Sequence, residues 1–276
     1  VTTITDSYTE EIAAWRAEAE AGLRAEEGWL TLVGLYWLQE GVNTIGSDPA
    51  SAVVLPPQAP AAAGRIELRQ GVATLHAHAG AGATLRGAPV SVHALRSDAG
   101  GPPDRIHIGD LALWLIKRGE RLGVRISDRS SRLRQEFQGR FWFPVDEQYR
   151  LTARFEPYDP PKPLAITNIL GHTSEVPSPG AAVFSFAGRE HRLDASSLGP
   201  DGLHFVFRDQ TSGRETYGAA RFLTAPAPEG GLVTLDFNRA VHPPCAFTDY
   251  AACPLPPPQN HLALPIFAGE RLPSSA

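Results

Sequence analysis

Two cysteines, Cys245 and Cys253, stand either side of seven residues in a stretch that also holds His242 and prolines at 243, 244, 254, 256, 257 and 258. A cysteine nucleophile needs a lowered pKa and a base aimed at it, and His242, three residues before Cys245, is the base this stretch offers. A zinc site needs four ligands at short spacings, which two cysteines this far apart and one histidine do not supply, so no metal and no cofactor is expected. A disulfide and a pair of buried structural thiols remain as the other readings. The fixed φ of each proline means that the loop loses little entropy on ordering and can hold side chains without regular structure.

A second set of polar residues precedes this loop. The run RDQTSG at 208–213 reads as a strand end entering a turn, because Asp, Thr and Ser can bond back to local amides and Gly permits positive φ. Strands are expected over 217–223 and 232–238, joined through Glu229, Gly230 and Gly231. Tyr217 and Arg221 share a parity on the first strand, and Asp236 and Asn238 share one on the second. Antiparallel pairing about residue 229 with a one-residue bulge places Arg221 across from Asp236, with Tyr217 and Asn238 beside them and the 245–260 loop, ending in Asn260, over one end. Arg would supply a cationic fork, Asp and Asn acceptors and an amide donor, and Tyr a flat ring with a hydroxyl tip. The expected function is a binding module for a small polar ligand, using Tyr217, Arg221, Asp236, Asn238 and Asn260. An enzyme, either a hydrolase or a transferase with Cys245 as nucleophile or with Asp209 and Asp236 as acid and base, is the alternative, and a structural or interaction protein is the third reading.

The elements that must position these residues are mostly strands. Ser7 and Glu10 have capping-box spacing, and Ile12, Trp15, Ala19 and Leu23 follow at the period of one amphipathic helix face. Beyond it, short alternating runs are punctuated by Gly and Pro. Leu151, Ala153 and Phe155 share one face, as do Leu203, Phe205 and Phe207. The proline-bearing segment 156–163 reads as a loop. Three segments are expected: a helix and entry strand over 1–40, a β-sandwich over 41–127, and an antiparallel β module over 128–276 closed by the proline-rich loop. The fold class is mainly β. His76 and His78 share a strand face but have no third ligand near them in sequence, so they read as solvated strand residues.

Composition excludes several classes. The formal charge of the 276-residue chain is −5, with Lys and Arg spread along it, so no single-sign field gathers nucleic acid or anionic lipid. The apolar run 111–116 falls far short of the roughly twenty residues of a spanning helix. The opening VTTITD has no basic stretch followed by an apolar one, and a cytoplasmic location is expected.

Two resemblances add to this reading. GVNTIGSDPASAVVLPP, GRIELRQGVATLHAH, LRGAPVSVHAL and DRIHIGDLALWLIKR, over residues 41–118, resemble the forkhead-associated sandwich. That family captures phosphothreonine with an Arg directly after its Ile-Gly turn, where this chain has Ser47 after Gly46, and with a Ser and His in a stretch occupied here by Ala61, Ala62, Ala63 and Gly64. The resemblance therefore implies the scaffold without phosphopeptide reading. The run DFNRAVHPPCAFTDYAACPLPPPQNHL, with FRDQTSGRETYGAARFL before it and GWLTLVGLYWL near the start, resembles the uncharacterised bacterial family known as domain of unknown function 1684. Relatives there commonly carry Asn at the place of His242, and the resemblance implies that the second module folds alone and contains whatever activity is shared.

Overall fold

The computed structural model describes residues 3–273 and separates into two compact units, Leu23–Phe137 and Val1–Gly22 with Gln138–Ala276. The division falls at 137, ten residues beyond the expected end of the sandwich at 127. The first 22 residues belong with the C-terminal unit, and the entry strand belongs with the sandwich. Helix α1 (Thr3–Arg24) begins before Ser7, which therefore lies inside the helix rather than at its cap. The expected face is otherwise present, with Ile12 and Leu23 buried and Trp15 and Ala19 half-buried.

The N-terminal unit is a sandwich of two sheets. One runs in the order β1 (Leu32–Trp37), β11 (Arg121–Asp128), β10 (Leu111–Arg118), β9 (Ile106–Ile108), β6 (Thr84–Leu85), β7 (Ala88–Pro89). The other runs β3 (Val53–Val54), β2 (Gly41–Gly46), β4 (Gly64–Arg69), β5 (Val72–Ala77), β8 (Val92–Ala94). Period-2 alternation sends Ile66 and Leu68 of β4 inward to meet Leu111, Leu113 and Leu115 of β10 in one core. Strand β10 is apolar on both faces because Ala112, Trp114 and Ile116 are buried as well. A short helix, α2 (Arg132–Glu136), ends the unit, capped by the Ser131 hydroxyl.

The Ile-Gly turn has a steric cause. A Cβ on Gly46 would sit 1.9 Å from the Ala61 carbonyl oxygen, so only glycine permits this close pass. Ser47 is then held by the facing carbonyls, its N–H donating to Pro60 O at 2.9 Å and its hydroxyl to Ala59 O at 2.8 Å. Gly46→Ala should cost this unit about 1–3 kcal/mol, read as a lower urea midpoint with an unchanged slope. A change within about 0.5 kcal/mol would mean that the 59–62 segment yields freely.

The C-terminal unit also packs two sheets face to face. The first has the order β15 (Arg189–Asp194), β14 (Thr173–Phe186), β13 (Arg150–Thr167), β19 (Leu232–Asp236), and the second β16 (Ser197–Gly199), β17 (Gly202–Phe207), β18 (Arg221–Ala225). Leu203, Phe205 and Phe207 point into the shared core with Ala153, Phe184, Leu193, Leu235 and Phe237, as their alternation predicts. The 156–163 segment corrects its sequence reading, since it lies within β13. Pairing with β14 jumps from Pro157 opposite Gly180 to Lys162 opposite Ser178, five steps on one strand against two on the other. Prolines without an N–H interrupt the ladder there, producing a bulge in place of a loop.

The proline-rich segment closes the unit. Leu255 N–H donates to Thr167 O, Arg208 and Leu262 exchange bonds with Asn260 and Arg208 carbonyls, and Gln210 N–H reaches Leu264 O. The chain ends by pairing β20 (Glu270–Arg271) with β12 (Phe141–Trp142).

Candidate functional site

The expected pairing of the two polar strands does not occur. Strand β18 bonds β17 on one edge and Val241 on the other, through Phe222 N–H to Val241 O at 2.8 Å and the reverse at 2.9 Å. Strand β19 instead takes the edge of β13, with Asp236 opposite Arg150. Pro226 and Pro228 cannot donate to a ladder, so the hairpin closes only locally, between Glu229 and Leu232. Asp236 also ends β19 earlier than expected, its side chain accepting from Asn238 N–H to start a 3-10 turn over Phe237–Arg239.

Arg221 therefore does not meet Asp236. It shares its parity with buried Leu223 and Ala225 and is itself 0 % exposed. Its guanidinium donates to Asp209 Oδ2 at 2.6 Å, Ala268 O at 2.6 Å and Ile266 O at 3.1 Å, and lies 5.0 Å from the Phe207 ring centroid. Asp209 is filled in turn, by Ile266 N–H at 2.9 Å, Thr211 N–H at 3.0 Å and the Thr211 hydroxyl at 2.6 Å. Burial pulls the Arg221 pKa down, and Asp209 pulls it back. Asp209 is thus half of a sealed ion pair and has no solvent route for the acid–base role considered above. The pair pins the returning 266–268 segment to β18.

Asn260 and Asn238 are also structural. Asn260 mimics a strand, accepting from Asp194 N–H and donating to the carbonyls of Asp194 and Val206, each at 2.8–2.9 Å. Asn238 accepts from Asp146 N–H at 3.0 Å and donates to Asp146 O and to the Tyr8 hydroxyl.

Tyr217 lies apart from both, in the turn before β18. Its backbone N–H donates to His242 Nε2 at 3.1 Å and its hydroxyl to Cys245 O at 2.9 Å. His242 also gives its own N–H to Glu270 Oε2 at 2.7 Å, with Nδ1 3.7 Å from Oε1, and Glu270 is ion-paired with Arg140. With Nε2 occupied by an amide, His242 is not the base for Cys245. Burial, reinforced by Arg221 and Arg140, lowers its pKa to about 3, so it stays neutral. Burial raises Glu270 to about 7 against the pull of Arg140. Gly269 makes this arrangement possible: its φ is +77°, and a Cβ there would sit 2.4 Å from Ala240 O.

Asp236 is the expected residue that does face open space. Because β18 and β19 belong to different sheets, a cleft of about 590 Å³ lies against them, lined by Phe222 and Thr224 from one strand and Thr234 and Asp236 from the other. Arg150, Arg239, Glu11, Asp201 and Trp15 complete a wall of both charges and one indole. Asp236 is held in place by the Tyr8 hydroxyl at 2.8 Å and Arg239 Nε at 3.3 Å, and Arg239 also pairs with Glu11 and lies 5.5 Å from the Trp15 ring centroid. Burial beside Asp236 raises the Tyr8 pKa, so the hydroxyl remains a donor. The polar parity of 232–238 pointed to Asp236 and Asn238, and of these two only Asp236 lines the cleft. No local spacing signalled Tyr8 or Trp15, more than 200 positions earlier.

Among the described residues no group of three or more His, Cys, Asp or Glu side chains is placed to hold a metal ion, and no helix is long and apolar enough to cross a membrane. His76 lies 3.7 Å from Glu67, and His78 Nδ1 3.2 Å from Ala62 O.

These features define a mainly β protein with an N-terminal helix and antiparallel sheets, whose C-terminal unit is locked by a buried ion pair and opens on one side in a mixed-charge cleft. Residues 135–271 match the family described as protein of unknown function (DUF1684). An uncharacterised Haloarcula marismortui protein, solved by solution NMR, is 30% identical over 50% of this chain and 79% of its own, with a TM-score of 0.43. A domain from a study of phosphothreonine-dependent FHA domain interactions is 22% identical over 35% of this chain and 96% of its own, with a TM-score of 0.25. No curated protein matches the chain.

Proposed function

We propose that the C-terminal unit is a binding module for a small polar ligand, a zwitterion by preference, held in the cleft beside β18 and β19. The observation that carries this reading is the wall itself, where Arg150 and Arg239 stand with Glu11, Asp201 and Asp236 around about 590 Å³. Guanidinium groups suit a carboxylate, carboxylates suit an ammonium, and Trp15 offers a flat apolar face. A volume of this size suits a small molecule. Asp236 keeps the role expected of it, with Arg150 and Arg239 in place of Arg221.

A thermal-shift screen of free amino acids, betaines and small dicarboxylates tests the proposal. A ligand at a hundred times its Kd stabilises the fold by about 2.7 kcal/mol. Thr224→Trp, at an exposed cleft position, should remove that stabilisation while changing the ligand-free stability by less than about 0.5 kcal/mol. A screen without a hit, or a hit that Thr224→Trp leaves intact, contradicts the reading.

A further inference from the structure

The two cysteines lie outside the cleft and have a geometry of their own. Neither is in a disulfide, and the Cys245 backbone N–H donates to Cys253 Sγ at 3.2 Å. The Tyr217 hydroxyl closes on the same residue, donating to Cys245 O at 2.9 Å. Cys245 is half-buried, whereas Cys253 is 5 % exposed and lies behind it. Each sits in a braced segment. Pro244 starts the 3-10 turn that carries Cys245, while Cys253 O accepts from Ile169 N–H and Leu255 N–H reaches Thr167 O. The loop thus holds one accessible cysteine beside one shielded cysteine, with the backbone of the first against the sulfur of the second.

We propose that Cys245 and Cys253 form a thiol–disulfide exchange site for the disulfides of low-molecular-weight thiols, with Cys245 attacking and Cys253 resolving. The Cys245 thiolate attacks one sulfur of the incoming disulfide, whose S–S bond breaks and releases one thiolate that takes a proton from water. Cys253 then loses its proton to solvent and attacks the Cys245 sulfur of the mixed disulfide, expelling the second thiol. Two electrons pass from the cysteine pair to the small disulfide, which leaves as two thiols while the 245–253 bond forms. Hydrogen bonding from Cys253 and Tyr217 supports the assignment by lowering the Cys245 pKa to about 7, so a large fraction is thiolate at neutral pH. No base is needed, which accords with His242 being occupied elsewhere.

Oxidised glutathione added to the full chain, followed by acid quenching, alkylation of remaining thiols and intact-mass measurement, provides the test. The wild-type protein should lose both free thiols, retain no glutathione and yield a peptide pair joined between Cys245 and Cys253. Cys253→Ser should keep one glutathione on Cys245, and Cys245→Ser should react at least roughly tenfold more slowly than wild type because the remaining thiol is shielded. A stable glutathione adduct on the wild-type chain, or two thiols that stay reduced, overturns the proposal. If Cys253→Ser does not fold, the wild-type peptide map alone decides.

Discussion

Arg221→Met should destabilise the C-terminal unit by about 3–5 kcal/mol, the cost of leaving a buried carboxylate without its cation. Both side chains of the Arg221–Asp209 pair are 0 % exposed, so the carboxylate left behind is out of reach of bulk solvent. Adding Asp209→Asn should recover part of the loss, because a neutral amide leaves no unpaired buried charge while its single oxygen still accepts from either Ile266 N–H or Thr211. Urea unfolding of the two single variants and the double variant measures both effects. A loss below about 1 kcal/mol for Arg221→Met would equate the pair with an exposed surface bridge and remove it as the anchor of the 266–268 segment.

The second large effect concerns acid. His242 has a folded pKa of about 3 against 6.5 for the ordinary group, so its contribution is fully present above pH 6.5 and is lost as the pH falls toward 3. At about 1.4 kcal/mol per pKa unit, the loss amounts to roughly 5 kcal/mol. Glu270 acts in the opposite sense. Its folded pKa of about 7 lies above the ordinary 4.5, so its contribution is present below pH 4.5 and fades as the pH rises to 7. The two slopes oppose each other between 4.5 and 6.5, and below 4.5 the histidine acts alone. His242→Asn removes that titration. The stability of wild type relative to His242→Asn should therefore fall steadily from pH 6.5 to pH 3.5, as measured by urea midpoints across that range. Parallel profiles would show that His242 is protonated in the folded protein.

Much of the fold is legible in local pattern, and much of the site is not. Leu203, Phe205 and Phe207 reveal their sheet because a period of two marks one buried face, and the Ile-Gly turn at Gly46 is legible because only glycine tolerates the approach of Ala61. Arg221 misleads for a physical reason. Its parity with Leu223 and Ala225 assigns it to the core, but a charge at such a position is ordinarily solvated, and only the distant Asp209, Ile266 and Ala268 make its burial tolerable. Glu270 with Arg140 and Asp236 with Tyr8 join residues 130 and 228 positions apart, for which sequence spacing has no signature. The parity of Asp236 singles out a residue that lines the cleft, but the cleft itself has no local signature, since it depends on β18 and β19 joining different sheets.

The binding proposal is tested most directly by amide chemical-shift mapping of the isotopically labelled full chain, titrated with the zwitterion that gives the largest thermal shift. Saturable changes should concentrate at Thr224, Thr234, Asp236 and Arg239, around the cleft, and vanish in Thr224→Trp. Changes confined to the 245–253 loop or to the N-terminal sandwich, with the β18 and β19 amides unmoved, would contradict it.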